Sequence, residues 1–295
     1  MFYRVLTFTY IFIVLSPNPG TALQVKAITS LNIVVGTVTG AKLRKFSLDQ
    51  IKADKTLTQI DPHLFMNPEH KIAKWSGFEL RKILKDVLNP RENRTVVATG
   101  LDGYSAEYNE QILSEHAVIV ATEKDGVKLT AKEGSAQIAF PIADAKLAEI
   151  YKGEAYWVWY LSTIFIGEPA PVLAIHDSQG ARDLELTKLA SKQLKKKRIP
   201  CFPAGKRITQ EPRQPAELSY VPLLDLVKAG PNQKIIIGTY LGTETEVTGD
   251  ASQYGVAFAS NGSRIPPLIG GPIELVHETR AGQCLYFVNS VTVKP

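Results

Sequence analysis

The chain repeats one pattern of local sequence signals twice, and this repeat constrains its fold more than any other feature. The first copy is clearest in WSGFELRKILKDVLNPRENRTVVATGLDGYSAEY, residues 75–108, and a weaker version returns in LSYVPLLDLVKAGPNQKIIIGTYLGTETEV, residues 218–247. Matched positions keep one order along the chain: Ser76 with Ser219, Val97 with Ile236, Gly126 with Gly262, and Ile166 with Val293. Ordered self-similarity on this scale predicts a tandem duplication of a whole domain.

Local patterns within the copy predict mostly strands with short helices. Ser76 and Glu79 have the spacing of a capping box, which predicts a helix that starts at Ser76 and continues to Val87. Asp102-Gly103 between two β-rich runs predicts a hairpin. In the second copy, Ser219 is expected to open the corresponding helix. The sequence therefore predicts an α+β, β-dominated fold.

Length and composition agree with two globular domains. A length of 295 residues is typical of a chain with about two domains. A hydrophobic content of 44% with 21% charged residues is typical of globular proteins and argues against a disordered or fibrous chain. The formal charge of +5 is modest, so no nucleic-acid partner is expected.

The N-terminus has the pattern of a secretory signal peptide. One arginine precedes the apolar run VLTFTYIFIVL, and helix breakers and small residues follow it up to a cleavage point after Ala22. The run is short for a membrane span, and no later segment is apolar enough to be one. The predicted organisation is a signal peptide at 1–22, a first domain at 23–167 and a second domain at 168–295. We expect a periplasmic or secreted protein without a transmembrane segment in the mature chain.

With these motifs in place, the chain resembles the sulfite-oxidase-like superfamily of molybdopterin-binding oxidoreductase domains, in particular its compact periplasmic members. The resemblance covers residues 31–166, and the second domain resembles the family only through the first. It is carried, in this order, by the segments WSGFELRKIL, VVATGLDGYS, VIVATEKDGVKL, GSAQIAFP and WVWYLSTI. It implies two tandem domains of the sulfite-oxidase-like, molybdopterin-binding type.

The resemblance also implies a cofactor, molybdopterin with molybdenum. Family members that transfer oxygen atoms hold the metal through the pterin dithiolene and one cysteine thiolate, a soft ligand suited to molybdenum. The corresponding segment of the first domain, residues 57–63, contains no cysteine. The second domain places Cys201 near the corresponding point, so Cys201 is the candidate metal ligand. Cys201 and Cys284 are the only cysteines, and a disulfide between them or a buried thiol are the other interpretations.

Four residues are candidates for the wall of a ligand cleft in the first domain: His63, His70, Trp75 and Tyr104. The two histidines fall in a stretch without periodicity before Trp75, over the region where the family binds its ligand. A solvated loop is the simpler interpretation of these histidines, and core packing is the simpler one for the aromatic residues.

Two functions follow from these patterns, and the sequence leaves both open. The first is a cofactor-free periplasmic module that binds a small ligand or a protein partner, because the first domain lacks the cysteine and the leader lacks the arginine pair used to export folded proteins. The alternative is a molybdopterin-dependent oxidoreductase of the sulfite oxidase type with Cys201 as metal ligand. Catalytic residues are not identified, and whether the protein is an enzyme stays open.

Overall fold

The computed structural model of the chain describes residues 29–37, 39–50, 53–60, 71–89, 91–130, 134–141, 156–199, 201, 216–230, 232–247, 249–279 and 284–295. The predicted signal peptide, His63 and His70 lie outside these residues. None of the helices among the described residues is long and apolar enough to cross a membrane.

Among the described residues, the N-terminal half consists mainly of strands, with two short α-helices. The strands are β1 (Ser30–Thr37), β2 (Gly40–Ser47), β3 (Lys55–Ile60), β4 (Ile72–Glu79), β5 (Thr95–Gly100), β6 (Ser105–Asn109), β7 (Ile119–Lys124), β8 (Val127–Lys128), β9 (Gln137–Ala139) and β10 (Leu161–Ile166), with helices α1 (Leu80–Leu84) and α2 (Glu110–Glu115). They form two sheets. Sheet 1 has the order β2-β1-β10-β5-β6, and sheet 2 has the order β3-β4-β7-β8, with β9 also paired to β7.

The C-terminal half repeats this arrangement. Its strands are β11 (Val172–Asp177), β12 (Gly180–Glu185), β13 (Lys195–Ile199), β14 (Ala216–Pro222), β15 (Lys234–Thr239), β16 (Glu244–Glu246), β17 (Tyr254–Ser260), β18 (Ser263–Arg264), β19 (Glu274–His277), β20 (Cys284–Leu285) and β21 (Val288–Lys294), with helix α3 (Leu223–Leu226). Sheet 3 has the order β12-β11-β21-β15-β16, and sheet 4 has the order β13-β14-β17-β19-β20, with β18 on β17.

Sheet 3 matches sheet 1 strand for strand, and sheet 4 matches sheet 2 except for the additional edge strand β20. In each half the first strand pairs in parallel with the last strand, and that last strand pairs antiparallel with the strand of the central hairpin. The register shifts after Ser76 in β4 and after Ser219 in β14, the two serines that the repeat aligns. The topology therefore repeats as the sequence predicts. The duplication that would explain it stays a prediction.

The prediction that helices begin at Ser76 and Ser219 is wrong. Ser76 lies inside β4, and its hydroxyl group lies 2.9 Å from that of Thr56 on β3. The helices start later, at Leu80 and Leu223. Strand partners on both sides of β4 and β14 satisfy the backbone there, so tertiary pairing overrides the local capping pattern.

The hairpin at Asp102-Gly103 is confirmed, because β5 and β6 flank it and Gly103 has a φ of 81°. The closing strand of the N-terminal half, β10, lies at the centre of sheet 1 with every residue buried. Side chains on the two faces of β10 pack into different hydrophobic clusters. Ile164 and Ile166 belong to the core between sheets 1 and 2, whereas Phe165 lies on the opposite face.

The face of sheet 1 that carries Phe165 packs against the C-terminal half. The cluster there consists of Val34, Val97 and Phe165 from the first half with Tyr240, Leu241 and Phe287 from the second. The Phe165 ring stacks on Phe287 and meets Tyr240 edge-on, each at 5.7 Å between centroids. The Tyr240 carbonyl also accepts hydrogen bonds from Asn32 at 3.0 Å and Thr163 at 2.9 Å. The two halves therefore share a buried, hydrogen-bonded interface.

Candidate functional site

A buried amide without a hydrogen-bond partner marks one face of sheet 2. Gln137 on β9 is 2% exposed. Its Oε1 atom is buried, and no donor among the described residues reaches it. An unpaired buried acceptor loses its hydration without compensation, which costs about 1–3 kcal/mol. Such a group in a native fold needs an explanation, and a donor from a bound ligand or an ordered water supplies one.

Small residues surround this amide. The register aligns Gly77 of β4 with Ala121 of β7, and Ala121 with Gln137 of β9, so the three lie in one row on one face of the sheet. Ala139 follows on the same face of β9. A Cβ atom on Gly77 would overlap the carbonyl oxygen of Val120, so this position excludes any side chain. We call the row Gly77, Ala121 and Gln137 the amide niche.

The C-terminal half fills the same row with a large ring. There the aligned residues are Tyr220, Ala257 and Glu274. The Tyr220 ring lies over Gly255, since a Cβ atom on that glycine would overlap the ring. Tyr220 is 2% exposed and packs in a cluster with Ala257. Among the residues that the structure describes in these two rows, the position next to the alanine thus holds no side chain in the N-terminal half and a large ring in the C-terminal half.

Trp75 lies beside the niche, because it precedes Gly77 by two positions on the same face of β4. It is 1% exposed and meets Trp157 edge-on at 5.3 Å between ring centroids. The ammonium group of Lys124 lies 5.0 Å from the Trp75 ring centroid. Trp75 is therefore a core residue that stiffens the face next to the niche, and its contact with a ligand stays a prediction.

Tyr104 occupies a different sheet from Trp75. It lies in the turn from β5 to β6, where its backbone N–H donates to Asp102 Oδ1 at 3.0 Å and its carbonyl accepts from Gly100 at 2.8 Å. Its half-buried side chain packs against the core between sheets 1 and 2. The structure does not place Tyr104 in the amide niche, and its role in ligand binding stays a prediction.

Gln59 shows how the same residue type is satisfied elsewhere on sheet 2. Its Nε2 atom donates to the carbonyl of Phe140 at 2.7 Å, and the residue is 8% exposed. This bond links the two edges of the sheet, because Gln59 lies on β3 and Phe140 directly follows β9. Gln59 is thus a structural amide, in contrast to Gln137.

Cys201 does not offer a thiolate to a metal, which corrects its candidate role as a ligand. Its sulfur forms a disulfide with Cys284, with 5.7 Å between the two Cα atoms. A disulfide sulfur carries no negative charge and is a poor metal ligand compared with a thiolate. Since the sequence contains two cysteines, no other thiol can take that place. The disulfide interpretation is the one the structure supports.

The described residues also do not assemble a metal site of another kind. Within the part of the chain that the structure describes, no three His, Cys, Asp or Glu side chains converge to hold a metal ion. A molybdenum centre with a cysteine ligand therefore does not fit the residues of this chain. The Gln137 side-chain oxygen is a neutral hydrogen-bond acceptor, and it suits a ligand group with an N–H or O–H donor.

Gln137 was not identified as a site residue from the sequence, although it lies in the segment GSAQIAFP. The available signal was a single amide in the otherwise apolar run AQIAF. The observation that it faces Gly77 and Ala121 required the strand register, which sequence alone does not supply.

Comparison with known proteins agrees with the resemblance seen in the sequence. Residues 37–136 match the family described as Oxidoreductase molybdopterin binding domain, and this segment contains Gly77 and Ala121 and ends just before Gln137. Among solved structures, the sulfane dehydrogenase SoxCD from Paracoccus pantotrophus aligns with 90% of this chain and 77% of its own, at 12% identity and a TM-score of 0.35. No curated protein matches the sequence.

Proposed function

We propose that this chain is an exported ligand-binding protein, built on a molybdopterin-binding oxidoreductase-like domain, that holds no molybdenum through a cysteine. The observation that carries the proposal is the disulfide between Cys201 and Cys284, which uses both cysteines of the chain. Cysteine-ligated molybdenum chemistry needs a free thiolate. The first domain, where the family match lies, contains no cysteine.

The proposed ligand site is the amide niche. Gln137 supplies a buried acceptor, Ala121 and Gly77 leave the adjacent face without long side chains, and Trp75 provides a rigid neighbour. Ligand sites are typically apolar surfaces with a few placed polar groups of this kind. A small molecule with a hydrogen-bond donor, seated against the Gln137 amide, accounts for an otherwise unpaired buried atom.

Export is the second component of the proposal. The leader has the composition of a cleaved signal peptide, and disulfides form and persist in oxidising compartments. The Cys201–Cys284 bond supports this localisation. Peptide mapping of the native protein is expected to find a new N-terminus after Ala22, and an intact residue 1 would contradict cleavage.

Native mass spectrometry tests the ligand site. Protein purified from its native compartment is compared with Gln137→Leu and with the exposed control Lys128→Gln, whose side chain is 80% exposed. The proposal predicts a bound small molecule on the wild type and on the control, released on denaturation, and its loss from Gln137→Leu. The same bound mass on Gln137→Leu, or none on the wild type, would contradict a ligand at the niche.

The second candidate function is a molybdopterin-dependent oxidoreductase. The observation that favours it is the family match over residues 37–136. With Cys201 in a disulfide, the protein would provide no thiolate, so the pterin would have to hold the metal by itself. Analysis of molybdenum and pterin content separates this candidate from the first.

A further inference from the structure

A groove of about 340 Å³ opens between β2 and α1 on the N-terminal half, away from the row of residues that forms the amide niche. Its walls come from β2, from the segment before β3, from the end of β4 and from α1 with the turn after it. Its lining residues include none of the niche residues Gly77, Ala121 and Gln137. A volume of this size accommodates a small organic molecule.

The floor of the groove is apolar. Phe78 is 2% exposed and belongs to the core between sheets 1 and 2. Phe46 and Ile83 are half-buried and pack against the same core, with part of each side chain open to the groove. A hydrocarbon group placed here would remove this remaining apolar surface from water.

Two of the three groove carboxylates are fully engaged by protein groups. Asp54 accepts from the Glu79 backbone N–H at 3.1 Å and from Lys82 Nζ at 2.8 Å. The Lys82 hydrogen bond lowers the pKa of Asp54, and Asp54 in turn raises the pKa of Lys82. Glu79 pairs with Arg81 Nε at 2.7 Å. These groups hold the end of β4 and the start of α1 together and leave little charge for a ligand.

The remaining cations are available. Arg44 approaches the third carboxylate, Asp86, only at 3.8 Å, and the two side chains are 47% and 63% exposed. An ion pair that is this exposed and this long contributes little to folding stability. The side chain of Lys85 is exposed and forms no ion pair or hydrogen bond within the described part of the chain. Arg44 and Lys85 therefore place two weakly committed positive charges at one groove with an apolar floor.

The C-terminal half provides an internal comparison for Arg44. Arg44 pairs in register with Ile33, and its counterpart Arg182 pairs with Ile175. Arg182 makes two bonds to Asp177, at 2.8 and 3.0 Å, and a third to the Leu226 carbonyl at 2.9 Å. Three hydrogen bonds thus fix the orientation of the Arg182 side chain, which has a structural role. Among the described residues Arg44 has no such partners, and its guanidinium fork stays open to the groove.

We propose that this groove is a separate binding site for a small organic monoanion, with the carboxylate of the ligand on Arg44 and Lys85 and its hydrocarbon part on Phe46 and Ile83. The planar guanidinium group matches a carboxylate in a two-bond geometry, which a lysine alone does not provide. Asp86 disfavours a second negative charge on the ligand. The site does not depend on the ligand proposed for the amide niche.

Titration of the full chain with sodium hexanoate, followed by ¹H–¹⁵N correlation spectra, tests the proposal. Saturable shifts are expected for the backbone amides of residues 82–86 and for the Arg44 side chain, with a Kd on the order of a millimolar. The double variant Arg44→Gln with Lys85→Gln should bind about tenfold more weakly. Lys128→Gln, at an exposed lysine that does not line the groove, should bind as the wild type does.

Hexan-1-ol separates charge recognition from apolar contact, because it keeps the hydrocarbon chain and removes the carboxylate. The proposal predicts no saturable shift with the alcohol. It is overturned if hexanoate produces no saturable shift, if the alcohol shifts the same amides equally, or if the double variant binds hexanoate as tightly as the wild type. Since the side chains of Arg44 and Lys85 are exposed and weakly paired, the double variant should fold normally, and unchanged spectra elsewhere verify its fold.

Discussion

Cys201 and Cys284 are joined by a disulfide that connects the two edges of sheet 4. Cys201 follows the edge strand β13, and Cys284 begins the opposite edge strand β20. In sheet 2 the hydrogen bond from Gln59 to Phe140 also joins the outer strands of the sheet, from β3 to the end of β9. The cysteine that sequence reasoning considered as a metal ligand thus has a structural role, the one that an amide performs in the first half.

The disulfide is expected to stabilise the fold and to have no role in binding a ligand. The double variant Cys201→Ser with Cys284→Ser should lower the free energy of unfolding by about 2–4 kcal/mol, as loss of a bond that closes a long loop does. Urea denaturation measures this change, and mass spectrometry of the variant measures its bound molecules. Loss of a bound metal or cofactor at unchanged stability would show that the cysteines serve a site instead.

The two buried glutamines of sheet 2 should respond in opposite ways to the same substitution. Gln59→Leu removes the bond to the Phe140 carbonyl and leaves that acceptor unpaired, so it should cost about 1–3 kcal/mol of stability. Gln137→Leu removes an amide whose oxygen has no partner, so the ligand-free protein should be equally stable or more so. Thermal unfolding of both ligand-free variants checks this. A larger loss of stability for Gln137→Leu than for Gln59→Leu would refute the assignment of Gln137 as an unpaired amide.

Gly77 should tolerate no side chain, because a Cβ atom there would overlap the Val120 carbonyl. Gly77→Ala is expected to destabilise the protein by several kcal/mol, on the order of other overpacked core variants or more. The matched control is Gly126→Ala. Gly126 has a φ of 79° and open space within 4 Å of where its Cβ atom would lie, so only its backbone conformation opposes the change, at about 1 kcal/mol. Equal losses for both variants in urea denaturation would contradict the close approach of β4 and β7.

The interface around Phe165 should make the two halves unfold together. Phe165→Ala removes a ring that contacts both Tyr240 and Phe287, at a cost of about 3–5 kcal/mol. We expect one calorimetric transition for the wild type and two separated transitions for the variant. Leu43→Ala, at a residue 54% exposed, serves as the control and should leave one transition. Two transitions in the wild type would contradict a cooperative interface.

The protein should lose stability in acid partly through Glu110. This carboxylate has a side chain that is 0% exposed. Burial acts to raise its pKa, but hydrogen bonds from Arg94 and from the backbone N–H groups of Asn89 and Arg94 outweigh that effect and lower the pKa below its ordinary value of 4.5. A lowered pKa gives stability that is fully present above 4.5 and is lost as pH falls through the folded-state pKa.

Glu110→Gln tests this dependence. The variant should be less stable at pH 7 by about 3 kcal/mol, because Arg94 loses its buried partner. Its stability should also fall less steeply than that of the wild type between about pH 5 and pH 3. Urea denaturation across this range measures both effects, and parallel pH profiles for the two proteins would show that Glu110 does not titrate as inferred.

Much of the fold followed from local signals in the sequence. Asp102-Gly103 predicted its hairpin because few residue pairs adopt the turn it requires, and the repeat predicted a second copy of the same topology. The helix expected from Ser76 did not form there, because β3 and β7 pair with both sides of β4. Capping is a local preference of about 1 kcal/mol, which strand pairing and burial exceed.

The candidate site was less accessible to sequence reasoning. Trp75 was identified, yet its burial against Trp157 depends on contacts between distant segments. Gln137 becomes distinctive only when the register places it beside Ala121 and Gly77 and when its missing partner is known. Likewise, the weakly paired guanidinium group of Arg44 is recognisable only by comparison with the locked Arg182.

The most direct test of the central claim is elemental and pterin analysis of the wild-type protein, purified from its native compartment with the Cys201–Cys284 disulfide intact. The account predicts molybdenum far below one atom per chain, no molybdopterin-derived fluorescence after oxidation, and a different small molecule released on denaturation. One molybdenum atom and one pterin per chain would contradict it, and would show that the domain holds the cofactor without a protein thiolate.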